Sequence, residues 1–212
     1  MMFMAILSFP FILMVNMKLF AKKLKKKLER CPVSSGNKSP SPNPLPLRGG
    51  EDKGEGVYPK MAVFLGGATR GYDLTVSDME KFCSALKHTS PRAGDYMVTT
   101  SRRTSVNIER FLKSVLSQQP ACRLLVIANE ENPPYAAGGM MGIADLLIVT
   151  EDSLAMISEA VGTGKRVIVL SLGEGELPKK HYRFHQILAQ RGLVTLSGLA
   201  DLEKNITELF KR

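Results

Sequence analysis

The sequence has few of the residues that build disulfide or metal-bound frameworks. It contains only three cysteines in 212 residues, at positions 31, 83 and 122. An odd number at these spacings predicts neither a disulfide framework nor a zinc site, and it favours a reducing compartment. The chain also lacks a complete G-x-G-x-x-G fingerprint after the Gly66-Gly67 pair, which argues against ordinary NAD binding. We therefore expect no metal and no bound cofactor of this kind.

Acidic residues are scarce mainly at the amino end of the chain. Residues 1–60 hold 11 of the 29 Lys and Arg but only 4 of the 20 Asp and Glu, so they account for +7 of the net charge of +9. The remaining residues carry only +2. A basic surface for nucleic acid would be expected on the folded region itself, and so no nucleic-acid partner is predicted.

Charge is absent altogether from the first stretch, MMFMAILSFPFILMVNM, which precedes the basic run KKLKKKLER at residues 22–30. The apolar run is short for a membrane span and lacks the basic start and cleavage site of a secretory signal. The basic run would stay in the cytoplasm and attract anionic lipids. Residues 1–31 are thus interpreted as a helical segment of a cytoplasmic protein that attaches to the inner-membrane surface. A wrongly assigned start, or a helix that packs on an absent domain, is the alternative.

Residues 32–56 are rich in proline, glycine and serine and contain almost nothing that could build a core. This composition predicts a disordered linker. Translated non-coding sequence upstream of a gene fragment is the alternative interpretation.

From residue 57 to 212 the composition changes, because short apolar runs alternate with helical patterns. The predicted strands are residues 61–67, 95–101, 123–129, 145–150 and 166–172, and the predicted helices lie near 75–88, 104–118, 153–162, 180–191 and 199–211. Alternation of this kind predicts an α/β domain, a Rossmann-like parallel sheet with helices on both faces.

Polar or glycine-containing loops follow the first three predicted strands, as GGATRGY, TSRRTS and NEENPPY, and TEDS follows the fourth. In a parallel sheet these loops gather at one edge, where ligands bind near the reversal of strand order. TEDS also begins a helix, whose free N–H groups attract anions. The loops therefore predict an anion-binding edge.

Each of these features also has a purely structural explanation. Asp152 or Ser153 is typical of a helix cap, and the glycine pair suits a tight turn. Arg102 and Arg103 would oppose the dipole of a helix that starts beside them, which favours an anionic partner. Glu159 lies about 9 Å along its helix from Ser153, within reach of a ribose when a phosphate sits at the helix start.

Together, the segments VFLGGATRGYDL, TTSRRT, ADLLIVTEDSLAMISEAVGTGKRVIVL and RFHQIL resemble the mitochondrial fission protein family of plant elongate-mitochondria proteins and their bacterial relatives. The resemblance covers residues 57–200. This family looks like the nucleotide-binding half of two-domain GT-B glycosyltransferases, whose donor is a nucleoside-diphosphate sugar.

The resemblance implies a diphosphate between Gly67, the two arginines and the amides at Ser153, with Glu159 at the ribose. It places Asn129 near the base and Met156 on the pocket floor, while His185 is a family position that also suits a packing role. The nucleotide-binding residues it implies are Gly66, Gly67, Thr69, Ser101, Arg102, Arg103, Thr104, Asn129, Thr150, Glu151, Asp152, Ser153, Met156 and Glu159.

Two departures from the family qualify this interpretation. Only about 60 residues precede the matching region, so the resemblance leads us to expect that the N-terminal acceptor domain of a GT-B enzyme is missing. Pro133-Pro134 also stands where relatives look to have a single proline. The chain is therefore predicted to be a truncated or divergent nucleotide-sugar-binding domain, whose glycosyl transfer would need a separate N-terminal domain. The alternative is a non-catalytic, membrane-attached interaction domain with a vestigial nucleotide pocket.

Overall fold

The computed structural model of the protein describes residues 59–133 and 135–210, with the side chains of residues 90–93 excepted. The predicted amino-terminal segment and linker, residues 1–56, lie outside the described residues, as does Pro134. Within the two described ranges, every helix is too short or too polar to span a lipid bilayer.

The described residues form eight strands, six α-helices and a 3-10 turn at Leu199–Asp201. The strands are β1 (Met61–Phe64), β2 (Tyr72–Asp73), β3 (Tyr96–Thr99), β4 (Cys122–Val126), β5 (Leu146–Thr150), β6 (Arg166–Ser171), β7 (Glu174–Gly175) and β8 (Thr195–Gly198). The helices are α1 (Val76–Ala93), α2 (Val106–Leu116), α3 (Ala136–Ile143), α4 (Leu154–Gly162), α5 (Lys179–Gln190) and α6 (Leu202–Phe210).

Six strands build one parallel sheet in the order β4-β3-β1-β5-β6-β8. The chain runs outward from β1 to β4, returns to the centre at β5, and then runs outward on the other side. This is the Rossmann strand order, and the order reverses between β1 and β5. The predicted fold class is confirmed.

The strands of the sheet are apolar on both faces because helices cover both. Met61, Val63 and Leu65 pack in a core with α1, α2 and α6, whereas Ala62 and Phe64 pack on the opposite face with α3, α4 and α5. This alternation follows from the period of two residues in a strand. The sheet is therefore a rigid platform whose loops carry the candidate site.

Three features were not predicted from the sequence. Helix α3 and strand β8 lie in stretches with no predicted element, and β2 pairs antiparallel with β7. We call the β2–β7 pair the strap. It ties the loop after β1 to the loop after β6, and the backbone N–H of Glu176 donates to the carbonyl of Gly71 over 2.8 Å.

Candidate functional site

The loops after β1 and β5 meet at the reversal of strand order and form a crevice, which we define by Gly66, Gly67, Arg103, Thr150 and Asp152. The N–H of Gly66 donates to Oγ1 of Thr150 over 2.7 Å. The N–H of Gly67 donates to Oδ2 of Asp152 over 3.1 Å. The crevice is thus closed by hydrogen bonds between residues more than 80 positions apart.

Asp152 is the centre of the crevice. Its side chain is fully buried and accepts from the Thr150 hydroxyl over 2.6 Å and from Nη2 of Arg103 over 2.7 Å. With the N–H of Gly67, the carboxylate has three donors. A buried carboxylate is stable only when it is paired and hydrogen-bonded in this way. Asp152 therefore joins the loops after β1, β3 and β5.

The loop after β3 is held by its own polar side chains. Oγ1 of Thr104 donates to the carbonyl of Gly66 over 2.5 Å and accepts from the N–H of Ser101 over 3.0 Å. Nη1 of Arg103 donates to the carbonyl of Ala68 over 3.1 Å. Nδ2 of Asn129 donates to the carbonyl of Thr104 over 3.2 Å, so Asn129 also anchors this loop.

The two glycines after β1 are required by close approach. A Cβ on Gly66 would lie 2.1 Å from both carboxylate oxygens of Asp152. A Cβ on Gly67 would lie 2.2 Å from the backbone carbonyl of Arg103. The glycine pair is therefore explained by contacts within the protein.

Ser153 at the start of α4, Met156, Thr69, Arg102 and Glu159 were also predicted as site residues, but they lie outside the hydrogen-bond network around Asp152. Ser153 caps the helix, because its Oγ accepts from the N–H of Met156 over 3.5 Å. Met156 packs partly against the core, and Thr69 pairs with Tyr72 through the backbone. The side chains of Arg102 and Glu159 are exposed. The diphosphate and ribose contacts implied for these residues stay predictions.

Glu151, the residue before Asp152, lines a second site that is distinct from the crevice. This site is a cleft of about 360 Å³. The cleft is lined by residues of the loops after β1, β5 and β6 and of helix α5: Tyr72, Glu151, Ser171, Gly173, Gly175, Glu176, Leu177, Lys179, Tyr182 and His185. Oγ of Ser171 donates to the Glu151 carboxylate over 2.6 Å. The strap forms part of the wall of the cleft, because Tyr72 and Gly175 both line it. The N–H of Gly173 donates to the hydroxyl of Tyr72 over 2.9 Å.

The cleft shifts the titration of its acidic groups toward their neutral forms. Burial raises the pKa of Glu151, although hydrogen bonds from Ser171 and Tyr72 oppose this shift. Burial and the nearby Glu151 raise the pKa of Tyr72 well above its usual range. The cleft is therefore a desolvated environment in which charge is costly.

His185 carries the least satisfied polar group of the cleft. The residue is 5% exposed, and its buried Nε2 has no hydrogen-bond partner among the described residues. Burial and the neighbouring His181 lower the pKa of His185, while a hydrogen bond with the backbone of Glu151 raises it. That bond stabilises the protonated form, as a carbonyl acceptor does, so the neutral ring keeps its proton on Nδ1. Nε2 is then an unpaired acceptor on a residue that lines the cleft.

The structure thus separates the predicted site residues into groups. Gly66, Gly67, Ser101, Arg103, Thr104, Asn129, Thr150 and Asp152 belong to one internal network at the crevice, and Glu151 belongs to the cleft. Sequence reasoning did not select Tyr72, Ser171 or Tyr182. Tyr72 is the last residue of the loop GGATRGY after the first predicted strand, and Ser171 directly precedes the loop after β6, which contains Gly173 and Gly175.

No metal ligand set accompanies these residues. Among residues 59–133 and 135–210, no group of three or more His, Cys, Asp or Glu side chains is placed to hold a metal ion.

Comparison with known proteins identifies the family. Residues 54–207 match the model of the family described as Mitochondrial fission ELM1. The mitochondrial fission protein ELM1 of Arabidopsis thaliana is 28% identical over 127 residues, which cover 59% of this chain and 28% of that protein. The chain therefore spans little more than a quarter of this curated relative.

Solved structures match in fold. A Listeria monocytogenes protein described as a UDP-N-acetylglucosamine 2-epimerase is 16% identical with a TM-score of 0.52, over 74% of this chain and 38% of that one. The glycotransferase of kitacinnamycin is 15% identical with a TM-score of 0.43, over 78% and 38%. At these identities, the first likeness concerns the fold alone, a Rossmann-like domain of the GT-B type. On the family match, which covers most of its length, the chain belongs to the mitochondrial fission ELM1 family.

Proposed function

We propose that this domain binds a nucleoside-diphosphate sugar, with the sugar in the cleft and the nucleotide across the start of α4. The observation that carries the proposal is that His185, which lines the cleft with Glu151, has a buried Nε2 without a hydrogen-bond partner among the described residues. The cleft lies beyond the carboxyl ends of β5 and β6. Buried polar atoms are normally hydrogen-bonded, so an unpaired acceptor on a residue that lines a cleft favours a ligand group there.

The cleft favours hydroxyl groups as ligands. Nε2 of His185 and the carboxyl group of Glu151 are acceptors, so they suit O–H donors. Glu151 and Glu176 outnumber Lys179 among the charged lining residues, which disfavours a phosphate inside the cleft. Its volume lies near the lower end of the range for small-molecule sites, about 300–1,000 Å³. A hexose has the hydroxyl pattern and the size for this space.

The nucleotide half of the proposal rests on the start of α4. Its free N–H groups offer an anion-binding position next to the cleft, and Arg102 and Glu159 are exposed and free to contact a diphosphate and a ribose. The Listeria protein is described as acting on UDP-N-acetylglucosamine, which makes this compound the first ligand to test.

The test is a thermal-shift series with UDP-N-acetylglucosamine, UDP, GDP, ADP and pyrophosphate. A ligand that binds only the folded state raises the melting temperature, and we expect the largest shift with a nucleotide sugar. His185→Gln should remove the extra shift of the nucleotide sugar over its nucleotide. Glu159→Gln should reduce the nucleotide shift more than the pyrophosphate shift.

Two matched controls accompany these variants. Glu208→Gln on α6 and Arg110→Ala on α2 change exposed residues of the same type as Glu159 and Arg102. Arg102→Ala should weaken the nucleotide shift, and neither control should do so. The proposal is wrong if no compound shifts the melting temperature of the folded wild-type protein.

Glycosyl transfer by this chain would need an acceptor site. In a complete enzyme, positive groups at the helix start would stabilise the departing nucleoside diphosphate electrostatically. The second candidate, a non-catalytic interaction domain, is favoured by the crevice, whose donors are already satisfied by Asp152. Nucleotide binding without transfer, in the presence of candidate acceptors, would support this second function.

Membrane attachment through residues 1–31 remains part of the second candidate. We expect the full chain to pellet with membrane vesicles and the chain from Val57 onward to stay in the supernatant. Equal behaviour of the two proteins would remove the anchor.

A further inference from the structure

The reversal of strand order is where an open α/β sheet normally receives an anion, and in this protein a side chain already lies there. The carboxylate of Asp152 accepts from the N–H of Gly67 at 3.1 Å and from Nη2 of Arg103 at 2.7 Å. The Thr150 hydroxyl completes the set at 2.6 Å. A backbone amide, a guanidinium and a hydroxyl are the donors that would otherwise hold a phosphate oxygen.

Space and charge both exclude a second anion from this position. The carboxylate oxygens lie so close to Gly66 that even a methyl group there would overlap them at 2.1 Å. The backbone of Arg103 closes on Gly67 in the same way, at 2.2 Å. A phosphate that approached would also meet a fully buried negative charge, which repels it strongly in a site of low dielectric.

We propose that Asp152 is a specificity-determining residue that substitutes for a bound anion and excludes phosphate groups from the crevice. A phosphate-bearing ligand is then bound only on the other side of residue 152, at the start of α4. This location of the phosphate rests on the proposed function. The exclusion itself concerns any anion, and so it can be tested without the ligand.

The test is chemical rescue of Asp152→Ala by formate. This variant leaves a carboxylate-sized gap next to Arg103 and Gly67, and formate is the ion that fits the gap. We expect sodium formate to raise the melting temperature of Asp152→Ala above its value in sodium chloride of equal ionic strength. The excess over the wild-type response should be about 2 to 4 °C, a shift typical of one restored interaction in a domain of this size.

Two variants separate this effect from a general salt effect. Asp152→Asn keeps the volume of the side chain, so it has no gap and should show no formate-specific shift. Glu151→Ala removes the adjacent carboxylate, which faces the cleft, and should respond like the wild type. A formate shift of equal size in all variants, or none in a folded Asp152→Ala, would overturn the proposal.

A measurement on the wild-type crevice decides the case if Asp152→Ala does not fold. Pyrophosphate is titrated against the wild type, Arg102→Ala and Arg103→Lys. Exclusion predicts that the pyrophosphate shift survives in Arg103→Lys, because the Arg103 guanidinium already donates to Asp152 and to the carbonyls of Gly67 and Ala68. Loss of the shift in Arg103→Lys and its retention in Arg102→Ala would mean that the crevice binds phosphate. The nucleotide-sugar series on the cleft would be unaffected by that result.

Discussion

The crevice and the cleft lie on either side of one peptide bond, yet they differ in how completely their polar groups are satisfied. Asp152 has three donors and is closed off from solvent. Glu151 instead lines an open cleft together with His185, whose Nε2 has no hydrogen-bond partner in the part of the chain that the structure describes. Polar residues at the end of a strand can thus satisfy each other's hydrogen-bonding groups as completely as a ligand would. The proposed binding site therefore rests on the unpaired nitrogen in the cleft lining rather than on the polar residues of the crevice.

The largest effect is expected from closing the space at the crevice. Gly67→Ala places a methyl group 2.2 Å from the backbone of Arg103, which cannot move without breaking the loop. We expect a loss of about 3 kcal/mol or more in the free energy of unfolding, at the upper end of the range for overpacking. Urea denaturation followed by circular dichroism measures it.

The matched control for this variant is Gly162→Ala at the end of α4, where an added methyl group meets nothing within 4 Å. This change should leave stability unchanged or raise it by up to about 1 kcal/mol, because alanine is the better helix former. Similar losses in both variants would show that the close approach at Gly67 is unimportant.

The next effect compares the two adjacent carboxylates. Asp152→Ala removes the carboxylate that accepts from the N–H of Gly67, the Thr150 hydroxyl and the Arg103 guanidinium. We expect the free energy of unfolding to fall by about 3 kcal/mol. Glu151→Ala removes a carboxylate whose charge is disfavoured by burial, so its cost should stay below about 1 kcal/mol. Equal losses in the free energy of unfolding would contradict the contrast between crevice and cleft.

A smaller effect separates the two neighbouring arginines. Arg103→Ala leaves Asp152 with two uncharged donors, and because 43% of the Arg103 side chain is exposed we expect a loss of about 2 kcal/mol. Arg102 is exposed, so Arg102→Ala should stay within about 0.5 kcal/mol of the wild type. Thermal and urea denaturation of the pair would show whether only Arg103 is structural.

The smallest effect concerns the pH dependence of the cleft. Burial lowers the pKa of His185, so the folded state prefers the neutral ring. The stability contributed by this group is complete above the unfolded-state value of about 6.5 and is lost as the pH falls through that value toward the folded-state pKa. The melting temperature of His185→Asn should therefore fall less than that of the wild type between about pH 7 and pH 5.

Glu151 acts with the opposite sign. Its pKa is raised by burial, so its contribution is complete below about pH 4.5 and is lost as the pH rises through the folded-state pKa. The difference between wild type and His185→Asn at each pH isolates the histidine. A parallel pH profile of the two proteins would show that the ring is not kept neutral.

The sheet could be predicted from the sequence because its strands are continuous apolar runs. Strand β1 nevertheless ends at Phe64 rather than at Gly67, because the glycine pair turns into the crevice. Helix α3 was missed because AAGGMMGI has three glycines and no polar face. Strand β8 was missed because its four residues include serine and glycine and carry no apolar alternation.

The candidate site could be predicted only in part. The sequence correctly indicates that Thr150, Asp152 and the glycine pair lie close together, because strand-end loops of a parallel sheet share one edge. It cannot show that Asp152 turns away from its own helix toward Gly67, 85 residues earlier. The unpaired Nε2 of His185 likewise cannot be predicted from the sequence, because it depends on which hydrogen bonds the neighbouring helices and loops make in the folded protein.

The strap has a consequence for the order of folding. Its two strands of two residues each pair Tyr72 with Gly175 and Asp73 with Glu174. Beside them, the N–H of Gly173 donates to the hydroxyl of Tyr72, 101 positions earlier. So short a pair cannot form before β1 and β6 are held side by side, because the entropy of closing such a long loop outweighs its few hydrogen bonds. The strap is therefore the last part of the domain to form during folding and the first to open. In native-state hydrogen exchange, the amides of Gly173 and Glu176 should exchange before those of the central strands.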